Sequence, residues 1–214
     1  MPRRVAVTDI SGSWYLWAVA TQSLAIAAAF LRSTGMMQPQ PAARAAGAAW
    51  WAGVLLYLVI TAAVAARLLL AHPGPQEATA PYWVAMGAAS ITVLAAAQIL
   101  DMPVAAPAGI IRAALVRLAA GFWVFATGLI PLLAARGGWR HVRRHARLRY
   151  RADLWMIVFP AGMYATATMQ LGTAARLPLL RDTGTGAAWL AAGAWALTFT
   201  AMIVTRFTRV GARA

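Results

Sequence analysis

Long apolar blocks constrain this chain more than any other sequence feature. Six blocks contain almost no charged side chains. They lie at about residues 14–31, 47–70, 81–100, 113–135, 154–171 and 187–205. An apolar helix of about 20 residues crosses the hydrocarbon core of a bilayer. Only 11% of the residues are charged, too few to cover a water-exposed surface. The blocks therefore predict a polytopic membrane protein.

The blocks are typical of α-helices and not of membrane strands. They are rich in Ala and Leu and apolar all round, whereas the strands of a membrane barrel alternate between apolar and polar residues. Inside lipid a helix satisfies its own backbone N–H and C=O groups. We therefore expect an all-α bundle of about six transmembrane helices, arranged as three helical hairpins in a single domain over residues 1–214.

The distribution of Arg predicts the orientation of the chain. All 19 basic residues are Arg, and the net charge is +14. With the N-terminus inside, six Arg fall in outer segments, and the other thirteen fall in inner ones, including a basic loop at 136–153. The outer six are Arg32, Arg44, Arg112, Arg117, Arg176 and Arg181. The positive-inside rule then predicts a multi-pass protein of the plasma (inner) membrane with both termini cytoplasmic. Because the Arg residues flank apolar blocks, the predicted partner is membrane lipid, not nucleic acid.

Few residues could carry catalysis or hold a metal. The five acidic residues all lie at or beyond the ends of the predicted spans, and no nucleophile with a neighbouring base stands out. They are Asp9, Glu77, Asp101, Asp153 and Asp182. His141 and His145 are four residues apart, but they lie among Arg residues whose charge opposes a bound cation. A basic juxtamembrane loop touching anionic headgroups is the favoured interpretation. We expect no enzyme, no cofactor and no metal site.

The fifth predicted span carries the most informative pattern. Pro160 lies inside it and should kink the helix and free an upstream carbonyl. At about 100° per residue, Phe159 shares one helical face with small and polar residues. The predicted lining residues are Gly162, Met163, Thr166 and Gln170 on this span, with Gly87, Ser90 and Gln22 on others. Two interpretations remain open: a plugged, partly polar conduit, or a buried Phe with hydroxyls bonded to backbone carbonyls.

Four strings resemble a known family of membrane proteins. They are GSWYLWAVATQSLA (12–25), PYWVAMGAASITVL (81–94), WRHVRRHARLRY (139–150) and LWMIVFPAGMYATATMQLG (154–172). All four are similar to the tellurite-resistance/dicarboxylate transporter family. That family includes bacterial tellurite-resistance proteins, yeast malate and sulfite transporters and plant guard-cell slow anion channels. The resemblance covers nearly the whole chain, and VFPAGMYATAT is its most specific part.

The resemblance implies a fold and an assembly. The family fold has ten helices in five hairpins, with the inner helix of each hairpin lining a central pore, and it often assembles as a trimer. In its ninth helix, a Phe immediately before a Pro blocks the pore, and Phe159 with Pro160 matches that position. The six spans here resemble the family's helices five to ten, so we expect the first two hairpins to be absent.

The resemblance also implies a function. The expected activity is transport of small anions through a pore gated by Phe159. The anion would be a C4-dicarboxylate such as malate, or tellurite, sulfite or another small anion. The alternative is a non-conducting membrane subunit or fragment that needs a partner to supply the missing helices.

Overall fold

Helices account for every regular element in the described part of the chain. The computed structural model describes residues 11–70, 80–102, 109–144, 150 and 152–211. The α-helices are α1 (Tyr15–Ser33), α2 (Pro39–Leu70), α3 (Ala80–Leu100), α4 (Gly109–Arg144), α5 (Trp155–Ala174) and α6 (Pro178–Gly211). Short 3-10 turns, Gly12–Trp14 and Ala152–Leu154, precede α1 and α5. The predicted all-α bundle is confirmed.

Five helical segments of the described chain are long and apolar enough to cross a membrane. They are Gly12–Ser33, Pro39–Leu70, Tyr82–Leu100, Arg112–Arg136 and Pro178–Arg206. Helix α5 corresponds to the predicted span at 154–171, and its 20 residues are long enough to span. It is not among these five segments, and it carries three Thr, one Gln and an internal Pro. Since α5 packs along α3 and α6, it lies beside two helices that do meet both criteria.

Several helices extend beyond the predicted spans. Helix α2 begins at Pro39 and α6 at Pro178, eight or nine residues earlier than hydropathy indicates. Proline suits the first helical turn because its missing N–H would have no partner there. Asp182, predicted to lie outside a span, is therefore inside α6. Helix α4 continues to Arg144, so the first part of the predicted loop at 136–153 is helical. Hydropathy therefore predicts the part of a helix that lies in lipid, but it does not predict the residue at which the helix begins or ends.

Helix α3 lies at the centre of the bundle. It packs against α1, α2, α4 and α5, and residues 84–97 are all buried. Helices α1, α3 and α5 lie side by side, and each is paired with the next helix in the chain: α1 with α2, α3 with α4, and α5 with α6. The three predicted hairpins are therefore present.

Small residues allow the central helices to approach closely. Ala88, Ala89 and Ala95 on α3 are fully buried, and helix packing in lipid depends on such small contacts. Many of the large apolar residues face outward instead. Leu55 on α2 and Leu197 on α6 are mostly exposed. Apolar side chains on the outside and small ones inside are the arrangement expected of a bundle surrounded by lipid tails.

Candidate functional site

One face of α5 stays open although the rest of the helix is packed. Phe159 and Thr166 are exposed, and Gly162, Met163 and Gln170 are partly exposed. At about 100° per residue these five positions fall within about a third of the helix circumference. We call this set of five residues the α5 stripe. The structure thus brings together on one surface the residues that the sequence predicted for α5.

The opposite face of α5 is buried against the bundle. Tyr164, Thr168 and Leu171 lie there and are fully or almost fully covered. No charged residue occurs between Trp155 and Ala174. The stripe is therefore an uncharged surface on a helix whose other side is firmly packed.

Phe159 and Pro160 are adjacent in sequence but differ sharply in their environment. The Phe159 side chain is 48% exposed, which contradicts the interpretation of a buried Phe. Pro160 is fully buried and packs against Gly87 of α3. A Cβ atom at residue 87 would lie 3.0 Å from the Pro160 Cβ and 3.1 Å from its Cγ. Gly87 of α3 therefore contacts α5 at the residue that follows Phe159.

The helix runs continuously through Pro160. Because proline has no backbone N–H, the Met156 carbonyl lacks the donor that residue 160 would otherwise supply. The backbone hydrogen-bond ladder is therefore interrupted one turn from the Phe159 ring. The predicted freeing of an upstream carbonyl follows directly from this geometry.

A cavity of about 310 Å³ adjoins the stripe between α5 and α6. Its lining residues are Val158, Gly162, Ala165, Thr166, Ala188, Ala191, Ala192 and Trp195. The Thr166 hydroxyl lies in this lining and donates to the Gly162 carbonyl at 3.0 Å. The Thr166 hydroxyl oxygen can still accept a hydrogen bond, but the hydroxyl proton is already donated to the Gly162 carbonyl. The cavity is apolar and connects with the stripe through Gly162 and Thr166.

Ser90 and Gln22 lie inside the bundle and away from the stripe. The Ser90 hydroxyl is buried and donates to the Met86 carbonyl at 2.9 Å. The Gln22 side chain is fully buried, and its Nε2 donates to the Trp50 carbonyl of α2 at 3.2 Å. The Gln22 Oε1 has no hydrogen-bond partner among the described residues. Their predicted role in lining a pore stays a prediction, which neither position supports.

A hydrogen-bond network between α4 and α5 was not predicted from the sequence. The Trp123 Nε1 donates to the Thr168 hydroxyl at 3.0 Å, and that hydroxyl donates to the Tyr164 carbonyl at 2.7 Å. The Thr127 and Tyr164 hydroxyls are 2.8 Å apart. The sequence does hold one signal: Trp123 lies near the middle of its span, whereas membrane Trp residues concentrate at the interfaces. A mid-span Trp indicates a buried acceptor for its N–H.

Arg112 connects the ends of two helices. Its guanidinium donates to the Leu100 carbonyl of α3 at 3.0 Å and to the Ala174 carbonyl of α5 at 3.4 Å. A cation at helix C-termini is favourable because the last carbonyls are unpaired and the helix dipole is negative there. Burial raises the pKa of the neighbouring Asp101 carboxyl, and the charge of Arg112 opposes that rise.

The two histidines singled out in the sequence lie at the edge of the described part of the chain. His145 lies outside the described residues, and of His141 only the helical backbone is described. Within the described residues, no group of three or more His, Cys, Asp or Glu side chains could hold a metal ion.

Comparisons with known proteins agree with this architecture. A family model described as voltage-dependent anion channel matches residues 1–203. An uncharacterized membrane protein of Mycobacterium tuberculosis is 46% identical over 151 residues, which is 70% of this chain and 76% of that protein. An uncharacterized transporter of Methanocaldococcus jannaschii is 27% identical over 149 residues, 70% of this chain but only 42% of the transporter. No solved structure matches the chain.

The fold and the site therefore define a polytopic helical membrane protein with an open, uncharged stripe on its fifth helix. The chain belongs to the voltage-dependent anion channel family. The resemblance identified from the four sequence strings is thereby confirmed.

Proposed function

We propose that the α5 stripe forms one wall of a pathway for small anions, with Phe159 as the gate and Pro160 as its rigid support. The observation that carries this proposal is the half-exposed Phe159 ring beside a fully buried Pro160. A bulky ring fixed in this way can obstruct a pathway along the stripe without being part of the packed core. Membership of an anion channel family supports the same function.

The chemistry of the stripe suits an ion that must bind and leave again. Thr166 and Gln170 offer a hydroxyl and an amide, and α5 has no charged side chain. Weak and distributed binding favours conduction, because an ion that is held tightly does not leave. The net charge of +14 should concentrate anions near the protein, an effect that weakens with added salt.

A second wall for the pathway must come from elsewhere, because the stripe lies on the surface of the described chain. Helix α3 cannot supply that wall, since residues 84–97 are buried on all sides. A further chain facing the stripe, such as a second copy of this chain, would enclose it. The same observation favours the second candidate function, a non-conducting subunit that needs a partner.

The proposed substrates are the anions implied by the family resemblance. C4-dicarboxylates such as malate and small oxyanions such as tellurite and sulfite should be tested first, together with chloride. The proposed location is the plasma (inner) membrane with both termini cytoplasmic. This orientation would place the thirteen Arg of the inner segments on the cytoplasmic side.

Anion efflux from liposomes tests the proposal. The purified chain is reconstituted in liposomes loaded with chloride or malate, and wild type is compared with Phe159→Ala. The matched control is Phe125→Ala on α4, since Phe125 is 43% exposed and its ring packs against Tyr57 of α2. We expect Phe159→Ala to raise efflux several-fold and Phe125→Ala to leave it unchanged.

Two other outcomes have distinct meanings. Conduction that is equal in wild type and Phe159→Ala would reject the gate. No efflux from any correctly folded variant would favour the subunit function.

A further inference from the structure

We propose that Gly87 on α3 positions the Phe159 gate through its close contact with Pro160. The inference rests on the proposed function, because a gate must exist before it can be positioned. Gly87 would act through Pro160 and not through the Phe159 ring itself. It fixes where the α5 backbone lies at the residue next to the ring.

The contact between Gly87 and Pro160 leaves no room for a side chain. An added Cβ at residue 87 would lie 3.0 Å from the Pro160 Cβ, 3.1 Å from its Cγ and 3.2 Å from its Cα. Ordinary contacts between carbon atoms are about 3.5–4.0 Å. The proline ring cannot rotate away as a flexible side chain would, because it is closed onto the backbone. An alanine at residue 87 would therefore require α5 to shift by a few tenths of an ångström at Pro160.

The part of α5 after Pro160 is fixed at several points. Thr168 and Tyr164 bond to side chains of α4, and the Ala174 carbonyl accepts from Arg112. The backbone of α6 packs so closely that a Cβ at Gly172 would lie 2.6 Å from a backbone nitrogen. These anchors lie on the C-terminal side of Pro160, up to four turns away along the helix. Before Pro160 the Trp155 Nε1 donates to the Tyr150 hydroxyl at 3.2 Å, a bond within the same end of the chain segment that does not tie it to another α-helix.

Pro160 therefore marks the point where α5 can bend. The missing proline N–H interrupts the backbone ladder there, so less energy is needed to move one side of the helix relative to the other. A push from residue 87 should move the segment before the proline, Trp155–Phe159, because the anchored segment after it resists. The displaced segment carries the gate.

Other glycines of the bundle differ from Gly87 in ways that provide controls. At Gly53 an added Cβ would meet the end of the Gln22 side chain, which can rotate. At Gly128 on α4 nothing lies within 4 Å of an added Cβ. At Gly172 the contact is with the backbone of α6, far from Phe159 along the helix. Gly87→Ala therefore tests displacement of the gate. Gly128→Ala controls for a methyl group added in open space, and Gly172→Ala controls for general loosening of the bundle.

The first test measures anion efflux for these three substitutions in the wild-type and Phe159→Ala backgrounds. With Phe159 present, we expect Gly87→Ala to raise efflux about fivefold, the size of change that overpacking a tight contact can impose on a conformational equilibrium. In the Phe159→Ala background Gly87→Ala should have no effect, since no ring remains to be displaced. Gly128→Ala should change nothing, and Gly172→Ala should have the same effect in both backgrounds.

Equal fold-changes for Gly87→Ala in both backgrounds would overturn the positioning role while leaving the gate intact. If Phe159→Ala itself does not change efflux, the gate is rejected instead, so the two failures can be distinguished.

A second measurement does not depend on conduction. 4-Fluorophenylalanine is incorporated at position 159, and its ¹⁹F resonance is recorded in micelles for each glycine variant. We expect Gly87→Ala to shift this resonance and Gly128→Ala to leave it unchanged. An unshifted resonance in Gly87→Ala would overturn the proposal even if the reconstituted chain does not conduct.

Discussion

Helices α3 and α5 have similar compositions but opposite environments. Both mix small residues with hydroxyls, and in both the buried hydroxyls bond to carbonyls of their own helix, Ser90 in α3 and Thr168 in α5. Helix α3 has neighbours on all sides and no free surface from residue 84 to residue 97, whereas α5 keeps one face open. The comparison shows that small residues and hydroxyls do not identify a pathway by themselves. The neighbours of a helix decide whether its polar groups stabilise the bundle or remain available to a solute.

This difference has a consequence for mutagenesis. Substitutions in and around α3 should change the stability of the bundle, while substitutions on the α5 stripe should change transport and leave stability nearly unaltered. Each of the following comparisons pairs a buried position with an exposed one of the same residue type.

The largest effect is expected at Trp50, which holds α2 against α3. Its side chain is 1% exposed, and its Nε1 donates to the Thr92 carbonyl at 3.0 Å. Trp50→Ala should lower the free energy of unfolding by about 3–5 kcal/mol, the usual cost of removing a buried Trp. The control is the adjacent Trp51→Ala, because Trp51 is 54% exposed. Unfolding in detergent micelles measures both, and equal losses would show that the centre of the bundle is assigned wrongly.

A smaller loss is expected from overfilling α3. Ala95 is fully buried, so Ala95→Leu inserts three carbon atoms where no space exists. The expected cost is about 1–3 kcal/mol of unfolding free energy. Ala196 on α6 is exposed, so Ala196→Leu should cost almost nothing. Thermal melting of the two variants side by side gives the result, and a stable Ala95→Leu protein would argue against the close packing of α3.

The smallest effect separates two threonines of α5 itself. Thr168 accepts the Trp123 N–H, so Thr168→Val leaves a buried donor without a partner and should cost about 1 kcal/mol of unfolding free energy. Within the described residues the Thr166 hydroxyl bonds to the Gly162 carbonyl of its own helix and to no other helix, so Thr166→Val should not change stability measurably. Urea-assisted unfolding in mild detergent resolves differences of this size. A larger loss of stability in Thr166→Val than in Thr168→Val would mean that the buried and exposed faces of α5 are assigned wrongly.

Much of the fold could be predicted from the sequence because the bilayer imposes a fixed length on apolar helices. Each predicted span overlaps one helix, and the resemblance predicted the correct family. Helix ends were predicted less well, since Pro39 and Pro178 begin helices in segments that hydropathy alone assigns to loops. The burial of Trp50 was not predicted either. Trp50 lies near the end of a predicted span, where Trp side chains often face the interface, but its side chain is buried.

The candidate site was predicted only where one helix determines the arrangement. Helical periodicity correctly placed Phe159, Thr166 and Gln170 on a common face. Contacts between helices could not be derived, because periodicity within one span does not specify the partner of each face. The prediction that Gln22 lines the conduit therefore took no account of its hydrogen bond to the Trp50 carbonyl of α2. The close contact between Gly87 and Pro160 can be found only when the relative positions of α3 and α5 are known.

Cysteine accessibility tests whether an anionic reagent reaches the α5 stripe but not α3. The natural sequence has no Cys, so Thr166→Cys and Thr92→Cys each introduce a single thiol. Both are made in the Phe159→Ala background, and a negatively charged methanethiosulfonate reagent is added during anion efflux from liposomes. We predict that the reagent modifies Thr166→Cys and blocks efflux, while it leaves Thr92→Cys unmodified and conducting. Efflux that continues after complete modification of Thr166→Cys would contradict the claim that the α5 stripe lines the anion pathway.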